Sequence, residues 1–222
     1  MKQNKTLNLR NMVLIAMLSA VAFVLMFLEI PLPFIAPAFY ELDFSEVPVL
    51  IGTFSMGPVA GIVIELLKNL LHILIKGTST AYVGELANFL VGCALVVPAG
   101  LIYQKAKSKK HALAGMIVGT VLMVAAGSLV NAYILLPWYA NHFFAGAGGM
   151  DGILAAGAAV HAGAGTMMGF VMLCVALFNL FKGIVVSAVT MLLYKRVSVV
   201  IKGHAAENEA GRKPKKSHAA EI

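Results

Sequence analysis

The sequence predicts an all-α integral membrane protein, a bundle of six transmembrane helices with its N- and C-termini cytoplasmic. Composition is the first reason. Of 222 residues, 60% are hydrophobic and only 12% charged, with a mean hydropathy of +0.88, which are the values of a membrane protein and not of a soluble domain. Charge placement is the second. The net charge of +7 comes from Lys and Arg gathered in the first ten residues, at 105–110 and from Lys195 onward, with only Lys68, Lys76 and Lys182 elsewhere. Basic clusters so placed mark cytoplasmic segments under the positive-inside rule and explain the charge without a nucleic-acid partner. The third is a succession of apolar stretches near spanning length, about 20 helical residues for about 30 Å of hydrocarbon.

Residues 1–10 read as a basic cytoplasmic tail, and residues 9–196 as the six-helix membrane domain. Leu9 to Ile30 is span one, closed by Pro31. It is too long for a signal-peptide core and lacks a small-residue cleavage pattern, so it is an uncleaved span. Its Ala16-x-x-x-Ala20 pair lets a helix backbone approach closely, either one in the same bundle or one from a partner. Pro31 to Ser45 is an outer loop that its prolines stiffen. Phe34, Phe39 and Tyr40 in that loop either close over an apolar ligand or anchor it at the membrane interface. Asp43 and Glu46 have the spacing of a capping box that opens the next helix.

Glu46 to Ser55 is a short or tilted span two, roughly 15 Å if helical. Gly57-Pro58 breaks it, and Val59 to Ile75 is span three. Glu65 lies three residues before Lys68, so the two can form a neutralising pair on one face; a structural ion pair is the first reading, a proton or ligand role the second. Lys76 to Ala81 is a second outer loop. Tyr82 to Tyr103 is span four, with Glu85 and Asn88 near its outer end. Gln104 to His111, with four lysines, is cytoplasmic. Ala112 to Leu136 is span five, and Pro137-Trp138-Tyr139 its outer aromatic belt. A Gly- and Ala-rich outer connection, 140–163, leads to span six, Ala164 to Tyr194. Residues 202–222 read as a disordered basic cytoplasmic tail. Cys93 and Cys174, inside apolar runs, read as small core residues and not as a disulfide or metal pair.

Asn179 and Lys182 interrupt the longest apolar run, and on a helix they share a face. Counting back from Lys195-Arg196 puts them roughly 6–10 Å inside the opposite membrane face at 1.5 Å per residue. Asn131, about two turns below Trp138, falls at the same level, roughly 10 Å deep. Either Lys182 snorkels to an interface while Asn179 joins two helices, or these polar groups line a ligand cavity.

The chain contains no Gly-x-x-x-x-Gly-Lys-Ser/Thr, no His-Glu-x-x-His and no Gly-x-Ser-x-Gly. It therefore lacks the commonest phosphate-binding, zinc and serine chemistry. An apolar cavity with a few polar groups remains, the usual makeup of a small-molecule site.

Ala16-x-x-x-Ala20, Leu42-Asp43-Phe44-Ser45-Glu46-Val47-Pro48 and Gly57-Pro58-Val59-Ala60-Gly61 resemble the substrate-binding S components of energy-coupling factor transporters. Glu65-Leu66-Leu67-Lys68-Asn69-Leu70-Leu71-His72, Gly84-Glu85-Leu86-Ala87-Asn88-Phe89 and Asn179-Leu180-Phe181-Lys182 narrow the resemblance to the riboflavin-specific branch. It extends from about Leu9 to Tyr194; the 140–163 connection and the tail carry none of the motifs behind it. The resemblance implies a six-helix protein that captures riboflavin, as substrate and not as cofactor, from outside the cell membrane of a prokaryote. It also implies partnership with a membrane coupling subunit and two ATPases, which supply the missing phosphate-binding motif. Asn131, Asn179 and Lys182 take the family's cavity positions, and Ala16 and Ala20 its coupling surface. Tyr40, Glu85 and Asn88 join the substrate residues by loop position and depth. No metal is implied. An asparagine amide matches the carbonyl and N–H edge of an isoalloxazine ring, and Lys182 can donate to a carbonyl or ribityl oxygen. FMN would ask for more positive charge than one lysine. The alternatives are an S component for another vitamin or for FMN, and an integral membrane enzyme or redox-complex subunit using Glu65, Glu85 and His72.

Overall fold

The computed structural model describes residues 9–78 and 80–210. The expected basic tail before Leu9 and the expected tail from Gly211 lie outside the described residues. Among those described, five helical runs are long and apolar enough to cross a membrane. They are α1 (Leu9–Met26), α3 (Pro58–Lys76), α4 (Val83–Ala106), a run over Lys109–His142 and a run over Met167–Leu193. The fourth run joins α5 (Lys109–Val130), a wide turn at Asn131–Leu135 and α6 (Leu136–His142). The fifth joins α8 (Met167–Phe170), a second wide turn at Val171–Ala176 and α9 (Leu177–Ala210). The expected short span two is α2 (Glu46–Met56), 11 residues and hence about 16 Å. Outward-facing Ile117, Val121 and Leu129 on α5 and Ile184 and Leu192 on α9 are exposed. Apolar faces this continuous belong in lipid. The protein is a multi-pass membrane protein.

The turn between α2 and α3, at Gly57, lies against the Gln104 side chain at the end of α4; this is the lysine-bearing end. Gly57 has φ 105°, a conformation that excludes most other residues. The Ser108 hydroxyl caps α5 by accepting the His111 N–H at 3.3 Å.

The loop expected between spans one and two begins earlier and is more ordered than its composition suggests. Helix α1 stops at Met26, short of Ile30, and the N–H groups of Phe27 and Leu28 reach back only three residues. Ile30–Pro31 (β1) then pairs antiparallel with Glu41–Leu42 (β2). The capping box does not form. Asp43 Oδ1 instead accepts the Ser45 N–H at 2.8 Å, and Glu46 bonds to Lys68. Both carboxylates serve tertiary partners because buried lysines offer them more than helix N–H groups do.

Two further expectations change. The 140–163 connection contains a helix, α7 (Gly149–Val160), followed by a tight turn at Ala162–Gly165; its alanines are the strongest helix formers. Helix α9 runs on to Ala210, past the Lys202 where a disordered tail was expected, through the helix-favouring Ala205-Ala206-Glu207.

The interior divides in two. Ile15, Leu50, Phe54, Ile64, Leu95, Met116 and Met123 form one cluster, and Leu32, Leu42, Leu136, Ile153, Phe170 and Phe178 the other. Cys174 is buried in the second cluster, while Cys93 is half-buried, and both are free thiols. A polar cavity takes residues from both clusters, Met123 from the first and Phe178 from the second.

Candidate functional site

Asn131, Asn179, Lys182, Tyr40 and Asn88, five of the six residues proposed from sequence to bind substrate, line one cavity of about 220 Å³. The sixth, Glu85, lines an adjoining chamber of about 660 Å³. Phe39, Glu41, Asn88 and Tyr139 belong to both, so the two spaces are contiguous.

The two asparagines meet at Gly127. Asn131 donates its amide to Gly127 O at 2.8 Å, and a methyl on Gly127 would lie 2.8 Å from the Asn179 amide nitrogen. Only the missing side chain at 127 lets α9 bring Asn179 this close to α5. Each asparagine also sits beside a wide turn. After Asn131, the Leu136 N–H reaches back five residues to Asn131 O, and Pro137 has no N–H to restore ordinary helical register. The second wide turn ends at Ala176, just before Asn179, and Asn179 donates to Val175 O at 2.9 Å. Wide turns of this kind recur at functional sites because they redirect side chains without breaking the helix.

The loop over 31–45 supplies the remaining polar groups. Tyr40 donates its hydroxyl to Asn131 Oδ1 at 2.6 Å. Burial, then the neighbouring Tyr139 and Cys174, push the Tyr40 phenol well above its usual range, so it stays a donor. Its ring packs against Phe178 with centroids 5.5 Å apart.

Lys182 Nζ donates to Asp43 Oδ2 at 2.7 Å, and both side chains are more than 90% buried. Burial works against the Asp43 carboxylate, but the Lys182 and Lys68 ammonium groups and the bonds from Lys182 and Ser45 outweigh it. They hold the Asp43 carboxyl well below the usual range. Lys182 therefore does not meet a ligand as an unpaired charge. Behind this pair lies a second ion cluster. Lys68, fully buried, is 2.6 Å from Glu46, 2.9 Å from Glu65 and 2.9 Å from the Ser45 hydroxyl. The expected Glu65–Lys68 pair is present, joined by Glu46, which also lines the cavity.

Sequence reasoning missed Asp43, Glu46, Gly127, Phe178 and Tyr139 as parts of the site. A signal for Asp43 existed: a lysine buried at Lys182 demands a counter-charge, and the loop carrying Tyr40 carries the nearest acids. In the second chamber, Glu85 accepts the Thr78 and Thr80 hydroxyls at 3.1 and 2.9 Å, with His72 Nδ1 3.7 Å away. Ala16 and Ala20, by contrast, are exposed on α1, between the equally exposed Met12, Val13, Met17 and Val21. They do not pack inside the chain's own bundle.

Residues 10–194, nearly the whole membrane domain, match the family described as ECF transporter, substrate-specific component. The chain belongs to that family. It is 39% identical over 204 residues to a Staphylococcus aureus protein named riboflavin transporter RibU, covering 91% of this chain and 95% of that one. It is 33% identical over 189 residues to a Bacillus subtilis protein named riboflavin transporter FmnP, covering 85% and 92%. A solved S component of a bacterial ECF transporter superposes with a TM-score of 0.65 at 37% identity, covering 86% of this chain and 96% of that one. The substrate-specific component of a transporter is not an enzyme, which removes the membrane-enzyme alternative.

Proposed function

We propose that this S component binds riboflavin in the asparagine-lined cavity and delivers it for uptake across a prokaryotic cell membrane. The observation that carries the proposal is the convergence of Asn131, Asn179, Lys182 and Tyr40 on one cavity in a chain whose relatives are named riboflavin transporters. Aromatic rings of Tyr40, Phe178 and Tyr139 offer flat apolar walls to the isoalloxazine, and the asparagine amides face its polar edge. Riboflavin, uncharged, needs no counter-ion, in keeping with a lysine already neutralised by Asp43.

In this reading six helices cross the membrane, α2 being the short sixth, and the lysine-bearing end faces the cytoplasm with both termini. The cavity then opens outward. The exposed Ala16–Ala20 face of α1 docks a membrane coupling subunit, which two ATPases drive.

Purification tests the assignment. The protein should emerge yellow, and chromatography of the ligand released on denaturation should identify riboflavin. A colourless protein that does not quench the fluorescence of added riboflavin would exclude the proposal.

A further inference from the structure

The larger chamber beside the asparagine-lined cavity has lopsided charge. Three carboxylates, Glu29, Glu41 and Glu85, line it against Lys76 and His72. Lys76 Nζ lies 2.8 Å from Glu29 Oε2, so its charge is neutralised there. The other ammonium group on this path, Lys182, is bound to Asp43. Among the described residues, no further lysine or arginine lines either space. Glu41 and Glu85 are left as an acidic excess. Burial and then the Glu29 carboxylate push the Glu41 carboxyl upward against the pull of Lys76, so this spot already disfavours negative charge.

A neutral polyol and a phosphate ester part company here. Hydroxyl groups donate to carboxylate oxygens. A phosphate monoester carries roughly −1.5 to −2 charges near neutral pH and seeks paired cations. The chamber shares Phe39, Asn88 and Tyr139 with the asparagine-lined cavity, so the side chain of a flavin whose ring is held at Asn131 and Asn179 has a path into it.

We propose that Glu41 and Glu85 are specificity determinants that admit the uncharged ribityl chain of riboflavin and reject its 5′-phosphate ester. This inference rests on the flavin assignment above. It adds to that assignment the residues that select the dephosphorylated vitamin, and places selection in the chamber and not at the ring.

Affinities for riboflavin and FMN, read by fluorescence quenching on the full chain in detergent, test it in wild type, Glu41→Gln, Glu85→Gln and the double variant. Wild type should prefer riboflavin by about ten-fold or more. Each substitution should tighten FMN binding and narrow the ratio, the double variant most. Raising salt from about 50 to about 500 mM should narrow the ratio in wild type but not in the double variant, as screening replaces the removed charge. Glu41 is exposed, so Glu41→Gln keeps the fold even if Glu85→Gln, which also loses its threonine partners, does not. An unchanged ratio in Glu41→Gln and the double variant, or equal affinities in wild type, would overturn the inference while leaving the flavin assignment standing. Failure of every protein, wild type included, to bind either ligand would overturn both.

Discussion

Lys182 and Asp43, 139 residues apart in sequence, meet at 2.7 Å with both side chains almost fully buried. The bond ties the loop over 31–45 to α9 at the cavity wall. It neutralises the one ammonium group that lines that cavity among the described residues. A buried pair contributes little net stability, but removing one partner leaves a charge with no water to solvate it.

Asp43→Asn should therefore lower thermal stability substantially, by about 3–5 kcal/mol, and weaken flavin binding. Lys182→Met alone should also destabilise. The combination Asp43→Asn with Lys182→Met should recover much of the stability, because no charge is then orphaned. A thermal-melt cycle over the four proteins measures the coupling; additive losses would contradict the pairing.

Acid should leave this pair intact longer than an ordinary carboxylate. The folded-state carboxyl of Asp43 is depressed from its ordinary value of 3.8, so its stabilisation is fully present above that value. It is lost only as pH falls through the lower folded-state value. Riboflavin affinity should stay level from neutral pH down to about 4 as far as Asp43 governs it. Fluorescence titration across that range checks the sign; a loss centred above pH 4 that Asp43→Asn abolishes would contradict it.

Gly127→Ala should damage binding without touching a polar group. The added methyl would crowd the Asn179 amide, whose atoms would lie 2.8–3.2 Å from it. Asn179→Ala and Asn131→Ala should each weaken riboflavin by about 1–3 kcal/mol. Tyr40→Phe, which strips Asn131 Oδ1 of its donor, should cost about 1 kcal/mol. Titrations that match wild type in all four variants would place the flavin elsewhere.

Bulk at the exposed small-residue face should separate binding from transport. Ala16→Trp and Ala20→Trp should retain riboflavin in the isolated protein, since neither residue lines the cavity. Each should lose co-purification with the coupling subunit and the ATPases, and uptake should fall, because helix backbones could no longer approach closely. Normal assembly and uptake in both variants would remove the docking role.

Orientation has its own measurement. A cysteine replacing Lys109, in the lysine-rich turn, should react with an impermeant thiol reagent only from the cytoplasmic side. One replacing Gly146, where added atoms meet open space, should react only from outside. The reverse pattern would put the cavity on the wrong face.

What this sequence determined alone is what depends on composition and local order. Apolar runs dictate helices because lipid offers no partner for backbone groups. Asn179 and Lys182 share a face by helical spacing, and Asn131 reached their level by counting residues from an aromatic belt. Helical spacing also foretold the Glu65–Lys68 pair, but tertiary structure chose the partners that lie far apart in sequence. Asp43 and Glu46 carry the spacing of a helix cap, yet fold onto Lys182 and Lys68, because a buried ammonium group gains more from a carboxylate than a helix N–H does. Gly127 looks like any glycine in an apolar helix until α9 lays Asn179 against it. The 140–163 connection reads as a Gly- and Ala-rich link, and the burial of Ile153 on α7 exists only once the neighbouring helices are in place. Local sequence sets which groups can bond; only the packed chain brings one partner within reach and excludes the water that would otherwise have served.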